Sequence, residues 1–142
     1  MKLPNKHRKW LKEIKIVFSK AEKEHYSNEH TERGNELESE ARTIYELEKD
    51  CFVEEVGFIE YDDYVGVSPD GLVGEDGLVE IKCPSDKVYM QQLLNKKVPS
   101  AYEWQIQMQL LVTGREWCDY FVYNPNFDNR CKLSSLLSCS TI

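Results

Sequence analysis

Ser68-Pro69-Asp70-Gly71-Leu72-Val73-Gly74-Glu75-Asp76-Gly77-Leu78-Val79-Glu80-Ile81-Lys82-Cys83-Pro84 is the stretch on which the reading of this chain turns. Pro69 removes a ladder donor and Gly71 permits a tight bend, so residues 68–71 end a β-rich run. Gly74-Glu75-Asp76-Gly77 reads as a hairpin-type connection into a short strand over residues 78–82, which Pro84 stops. On a strand, positions i and i+2 share a face, so Glu80 and Lys82 project together. If the bend at Asp70 lies at the far end of the paired strand, two carboxylates and one ammonium converge. Mg²⁺ takes hard oxygen ligands at about 2.1 Å and keeps several waters, which suits two carboxylates and a backbone carbonyl. Phosphodiester hydrolysis needs a polarised phosphoryl oxygen, an activated water and a neutralised leaving oxygen. Asp70 and Glu80 with metal meet the first and third needs, and Lys82 is placed to serve the water. A Glu-x-Lys strand alone is usually a solvated face. Its company distinguishes this one: a Pro-Asp-Gly bend, nine residues between the carboxylates, and a following Cys-Pro.

Around this stretch the periodicity switches twice. Trp10, Ile14, Val17, Phe18 and Ala21 recur at helical spacing, which predicts an amphipathic helix over residues 8–25 with a basic outer face. A second helix is expected over 33–49, with Leu37, Ala41, Ile44, Tyr45 and Glu48 along one side. Residues 52–56, 58–61 and 64–67 read as strands, with Asp62-Asp63 a turn. After the central strand, Ser85 or Asp86 caps a helix to about residue 94. Pro99-Ser100 opens another to about residue 112, closed by Thr113-Gly114. Residues 117–123 are the last strand expected, ended by Asn124-Pro125, and the final ten residues carry too little periodicity for an element. The order α-α-β-β-β-α-α-β implies a mixed α/β fold, a central mixed sheet flanked by helices. In the helix after Pro99, Tyr102, Gln105 and Gln109 share one face, while Trp104, Met108 and Leu111 line another that is expected to be core. A neutral amide there holds water or a phosphate oxygen without competing for the metal's charge. Alternatively, these glutamines satisfy buried strand ends.

The 142 residues suit one domain, and 41% hydrophobic content with three Trp and eight Tyr supports a buried core. No apolar run reaches membrane-spanning length and the start lacks a signal-peptide pattern, so no membrane partner and a cytoplasmic location are expected. The net charge of −7 at first argues against a polyanionic partner. It is unevenly placed: residues 1–20 carry seven basic groups against Glu13 alone, whereas residues 29–82 carry seventeen acids against Arg33, Arg42, Lys49 and Lys82. An acidic middle behind a basic arm leaves nucleic acid open. Five cysteines without a C-x-x-C pair fit neither a zinc site nor a disulfide framework, and are read as reduced thiols.

The pattern of Asp70, nine residues, Glu80-Ile81-Lys82, with Pro69 before it, resembles the PD-(D/E)xK nucleases. SPDGLVGEDGLVEIKCP over residues 68–84 is similar, more narrowly, to the YqaJ viral recombinase family of phage-type exonucleases related to lambda exonuclease. Gly34-Asn35-Glu36-Leu37-Glu38-Ser39-Glu40-Ala41-Arg42 resembles that family's G-x-x-x-E-x-x-A-R helix, and residues 101–109 resemble its glutamine-bearing helix. The resemblance runs over residues 33–126 and implies a restriction-endonuclease-like core. It further implies a metal site of Asp70, Glu80, Glu38 and the Ile81 backbone carbonyl, with Lys82 and Gln105 serving the water. Arg42, Tyr102, Gln109, Lys9 and Lys12 are the candidates for DNA contact. The cofactor so implied is Mg²⁺, with Mn²⁺ as a substitute and no iron–sulfur cluster. The substrate is double-stranded DNA cut 5′ to 3′, the partner a single-strand annealing recombinase, and the assembly a homo-oligomer, a trimer by resemblance. The chain then reads as one nuclease domain over residues 1–142, with a basic helical arm (1–30), a core (33–126) and a short tail (127–142). An endonuclease of the same fold and a non-catalytic DNA- or partner-binding relative are the alternatives.

Overall fold

Five of the six residues of the strand Gly77–Lys82 are buried, so this strand is covered on both faces. It is β5 of the computed structural model, which describes residues 28–127 and 136–140. The chain divides into two compact units, residues 1–33 and 34–142. The first is described only over 28–33, and the sheet and site lie in the second. The expected helix over 8–25, with Lys9 and Lys12, lies outside the described residues.

The helix α1 spans Asn28–Lys49 and is followed by β1 (Val53–Glu54), β2 (Ile59–Asp62), β3 (Val65–Val67), β4 (Gly71–Val73) and β5. Then come α2 (Asp86–Asn95), α3 (Ser100–Thr113), β6 (Trp117–Val122) and β7 (Leu136–Ser140). The main sheet has the order β1-β4-β5-β6-β7, and β2–β3 form a separate two-stranded hairpin. β5 pairs antiparallel with β4 and parallel with β6, so α2 and α3 supply the crossover that a parallel pair requires. β5 side chains alternate between two apolar layers. Val79 and Ile81 pack with Phe121, Tyr123 and the α1 residues Ala41 and Tyr45. Leu78 packs with Tyr120, Val122, Tyr89 of α2, and Ile106 and Leu110 of α3. Each fully buried side chain of this size contributes about 1.5–3 kcal/mol. By alternation, Glu80 and Lys82 fall on the α2/α3 side.

The ends of the elements follow their local chemistry. Asp62 Oδ1 accepts the N–H groups of Tyr64 and Val65, both at 2.8 Å, closing the hairpin turn expected at Asp62-Asp63. Gly114 takes the left-handed conformation that ends α3, its N–H bonded to the Leu110 carbonyl. Ser85 is the N-cap of α2 without a side-chain cap bond, and Asp86 instead accepts from the Asn124 and Asn126 amides.

Four expectations are corrected. α1 starts at Asn28 rather than residue 33. Residues 71–73, read as bend and connector, form the strand β4, because Val53–Glu54 supplies a pairing edge no local signal announces. β7 occupies the tail where no element was expected, paired antiparallel to β6 from Trp117↔Ser140 to Phe121↔Leu136. Trp104 and Leu111 are exposed, Trp104 at 51%, whereas α3 buries Ile106, Met108, Gln109 and Leu110. Polar residues occupy the inward face because they meet a buried carboxylate, so apolar character alone pointed the wrong way.

Candidate active site

Glu80 is 1% exposed, and three donors converge on its carboxylate. Lys82 Nζ lies 2.6 Å and Gln105 Nε2 2.9 Å from Oε1. Gln109 Nε2 lies 2.9 Å from Oε2. The arrangement follows from two periodicities: Glu80 and Lys82 are two apart on β5, and Gln105 and Gln109 are one turn apart on α3. Lys82 Nζ also sits 4.8 Å from the centre of the Tyr102 ring, which stacks on Tyr120 at 5.8 Å. Burial opposes the Lys82 ammonium, but the Glu80 carboxylate bonded to it, with Asp70, more than offsets that and holds Lys82 above its ordinary value.

Asp70 approaches from the other edge of β5. Its Oδ2 accepts the Ile81 N–H at 2.7 Å. β4 begins only at Gly71, opposite Val79, so the Asp70 side chain takes the ladder position that an earlier start of β4 would have filled. The Lys82 carbonyl accepts from Tyr123 on the β6 side, so the Ile81 carbonyl faces the opposite side, past the last β4–β5 pair. Burial, and then the Glu80 charge, push the Asp70 carboxyl up to about 7. The Ile81 N–H and Lys82 pull it back only in part, and Glu38 adds to the rise.

Glu38, on α1, is half-buried and joined to Arg42 at 2.9 Å. Arg42 also holds Glu55 at 2.7 Å, so both terminal guanidinium nitrogens are committed to carboxylates. Cys83 is half-buried beside this group, and its thiol is pushed up to about 12, by burial first and then by Glu38 and Asp70. It is a free thiol, as are Cys51 and Cys118. Among the described residues no three His, Cys, Asp or Glu side chains form a ready-made metal cage.

The structure therefore brings Asp70, Glu80, Lys82, Gln105 and Tyr102 into one neighbourhood, with Glu38 near enough to act on Asp70 electrostatically. Gln109 is 1% exposed, and its amide nitrogen donates to Glu80. Arg42 pairs with Glu38 and Glu55. The sequence reading missed Glu55, which reaches Arg42 from beyond β1 with no local spacing to reveal it.

Several known proteins share this arrangement of elements. The YqaJ-like viral recombinase domain matches residues 2–116 as a family model. The alkaline exonuclease LHK-Exo from Laribacter hongkongensis is 36% identical, with a TM-score of 0.70 over 78% of this chain and 57% of that one. The same enzyme in complex with dAMP gives a TM-score of 0.76 at 36% identity, over 83% of this chain and 61% of that one. A phage related exonuclease from Haemophilus somnus shares the fold alone, with 14% identity and a TM-score of 0.53 over 81% and 62% of the two chains. No curated protein sequence matches. The chain spans about three fifths of the length of LHK-Exo. The central mixed sheet with helices on both faces is the PD-(D/E)xK nuclease core. With a family match over most of its length and a 36% identical structural neighbour, the chain belongs to the YqaJ-like viral recombinase domain family, whose solved neighbours are exonucleases of the lambda type.

Proposed function

We propose that the chain is a Mg²⁺-dependent deoxyribonuclease, a 5′ to 3′ exonuclease on double-stranded DNA that prepares ends for recombination. The observation that carries this reading is the convergence of Lys82 and Gln105 on Glu80, with Asp70 docked on the next backbone N–H of the same strand. The 36% identity to an alkaline exonuclease supports the mode of attack.

Asp70, Glu80, Glu38 and the Ile81 carbonyl would hold the cation. The donors are all hard oxygens, as Mg²⁺ prefers, and their small number suits an ion that keeps several waters. The charge balance fits as well: burial and the Glu80 carboxylate raise Asp70, and a cation relieves that repulsion. When bound, the ion supplies Lewis-acid polarisation of a phosphoryl oxygen and neutralises the leaving oxygen. Lys82, kept cationic by Glu80, retains its protons at Nζ and donates to the attacking water or to the charge that builds on phosphorus-bound oxygen. Gln105 uses its N–H on Glu80, which leaves its carbonyl to accept from that water and fix its approach. Tyr102 walls Lys82 on one side and limits where the ammonium reaches.

End-labelled linear duplex, with and without a 5′-phosphate, run beside closed circles in Mg²⁺ or chelator, tests the reading. Nucleotide release from linear DNA in Mg²⁺ only, with circles intact, is expected. Lys82→Ala is expected to lower the rate by about 10²-fold or more while keeping fold and DNA binding. Nicked circles would make it an endonuclease, and full activity of Lys82→Ala would remove the mechanism.

A further inference from the structure

Gln109 is buried as deeply as Glu80 and makes one side-chain hydrogen bond, through its amide nitrogen to Glu80 Oε2 at 2.9 Å. Its amide oxygen is also buried and has no hydrogen-bond partner among the described residues. That combination is costly, since an orphaned buried polar atom costs about 1–3 kcal/mol. A methionine or leucine of similar volume would fill the space without that penalty, at the cost of the donor to Glu80 Oε2. Packing therefore does not account for the amide; its bond to Glu80 does.

The geometry shows what that bond controls. Oε1 of Glu80 is held by Lys82 and Gln105, both of which the proposed reaction uses at the substrate. Two donors hold Oε1 in place, and because the terminal sp³–sp² torsion has a broad minimum, what holds Oε2 decides the final tilt of the carboxylate plane. Gln109 pins the other oxygen from within the core, from a helix position anchored below it by the Thr113 hydroxyl on the Gln109 carbonyl at 2.7 Å. Being neutral, it fixes the plane without adding a positive charge that would oppose a cation.

We propose that Gln109 is a positioning residue: it fixes the plane of the Glu80 carboxylate, and thereby the direction in which Glu80 presents its oxygens to a divalent cation. This rests on Glu80 being a ligand, as proposed above. Groups that hold a ligand in place commonly govern metal affinity about 10–100-fold.

The test is Gln109→Met, with Gln109→Leu as a second variant should the first not fold, measured beside Glu80→Gln. Calorimetric titration with Mn²⁺ alone gives affinity, steady-state kinetics give kcat and KM for linear duplex, and thermal melting checks the fold. Gln109→Met exchanges the orphaned amide oxygen for an unpaired Glu80 Oε2, so it is expected to fold with a melting temperature within a few degrees of wild type, to bind Mn²⁺ about tenfold more weakly, and to lose about tenfold in kcat with KM for DNA unchanged. A Gln109→Met protein with wild-type Mn²⁺ affinity and kcat, while Glu80→Gln loses Mn²⁺ binding, would overturn the positioning role and leave the ligand reading intact. If Glu80→Gln binds Mn²⁺ as the wild type does, the ligand reading itself fails. A KM rise without loss of Mn²⁺ affinity would place Gln109 on the DNA path and also overturn the proposal.

Discussion

Asp70 combines a buried carboxylate with a carboxylate neighbour, and the consequence is a stability that runs against pH. Its folded value stands near 7, above the usual carboxylate range. A group raised on folding binds more protons in the folded state, so its contribution is complete below about pH 4 and is lost as pH rises through about 7. In chelator, wild-type protein should therefore lose stability relative to Asp70→Asn between pH 5 and pH 8. Asparagine keeps an oxygen for the Ile81 N–H but has no charge to gain. With Mg²⁺ the difference should shrink, because the cation binds the ionised form, and metal affinity should climb over the same interval. Thermal melts of both proteins at the two pH values, with and without Mg²⁺, measure it; parallel curves in chelator would show that Asp70 ionises as freely as in an unfolded chain. At this scale the sequence was informative where chemistry is set by strand parity. Glu80 and Lys82 share a face whatever the rest of the fold does, and the structure has them 2.6 Å apart. The Arg42–Glu55 pair was not legible, since it depends on where the chain beyond β1 passes over α1.

Among the elements, β4 is the one on which the site most depends, and it is only three residues long. Its first residue, Gly71, follows Asp70 directly and pairs with Val79. A Cβ there would lie 2.1 Å from Val53 Cγ1 and 3.3 Å from Val79 Cγ1, both side chains being buried core. Gly71→Ala must therefore push β1 away or tilt β4, and with it the aspartate. A loss of about 1–3 kcal/mol is expected, the usual cost of overpacking, together with lower activity at saturating Mg²⁺. Gly57→Ala, where a Cβ meets nothing within 4 Å, is the matched control. Urea unfolding of both variants decides it, and a Gly71→Ala protein as stable as the control would mean that β1 yields freely. The same element shows why the sheet was only partly readable. β5 announces itself by alternation and apolar content, whereas β4 hides inside a bend signature and is a strand only because β1 and β5 flank it. β7 is similar: its partner, β6, lies fourteen or more residues upstream, so its signal is tertiary. α3 misled in the opposite sense, because Gln105 and Gln109 make its inward face look polar until the carboxylate they serve is known.

For the whole molecule, charge is the property that the proposed action on DNA must accommodate. The chain carries −7, and residues 29–82 hold seventeen of its acids, including Glu38, Asp70 and Glu80. Lys82 and Arg42, the basic side chains described nearest the site, are committed to Glu80, Glu38 and Glu55. In the absence of a cation, a phosphodiester approaching Asp70 and Glu80 meets two carboxylates whose mutual repulsion already raises Asp70. DNA affinity should therefore depend on divalent ion, in contrast to a protein whose binding rests on free lysines alone. With the proposed carboxylate site as its ligands, Ca²⁺ is expected to strengthen binding of a linear duplex about tenfold or more over chelator at fixed ionic strength. In both conditions affinity should fall with added salt, as phosphate contacts released against counterions require. Asp70→Ala should weaken binding in Ca²⁺ and strengthen it in chelator, because the substitution removes a proposed ligand in one case and only a repulsive charge in the other. Fluorescence anisotropy of a labelled duplex reads all four combinations. Equal affinity of wild-type protein in Ca²⁺ and in chelator would show that the DNA path avoids the carboxylates, and would move the cutting site away from Glu80.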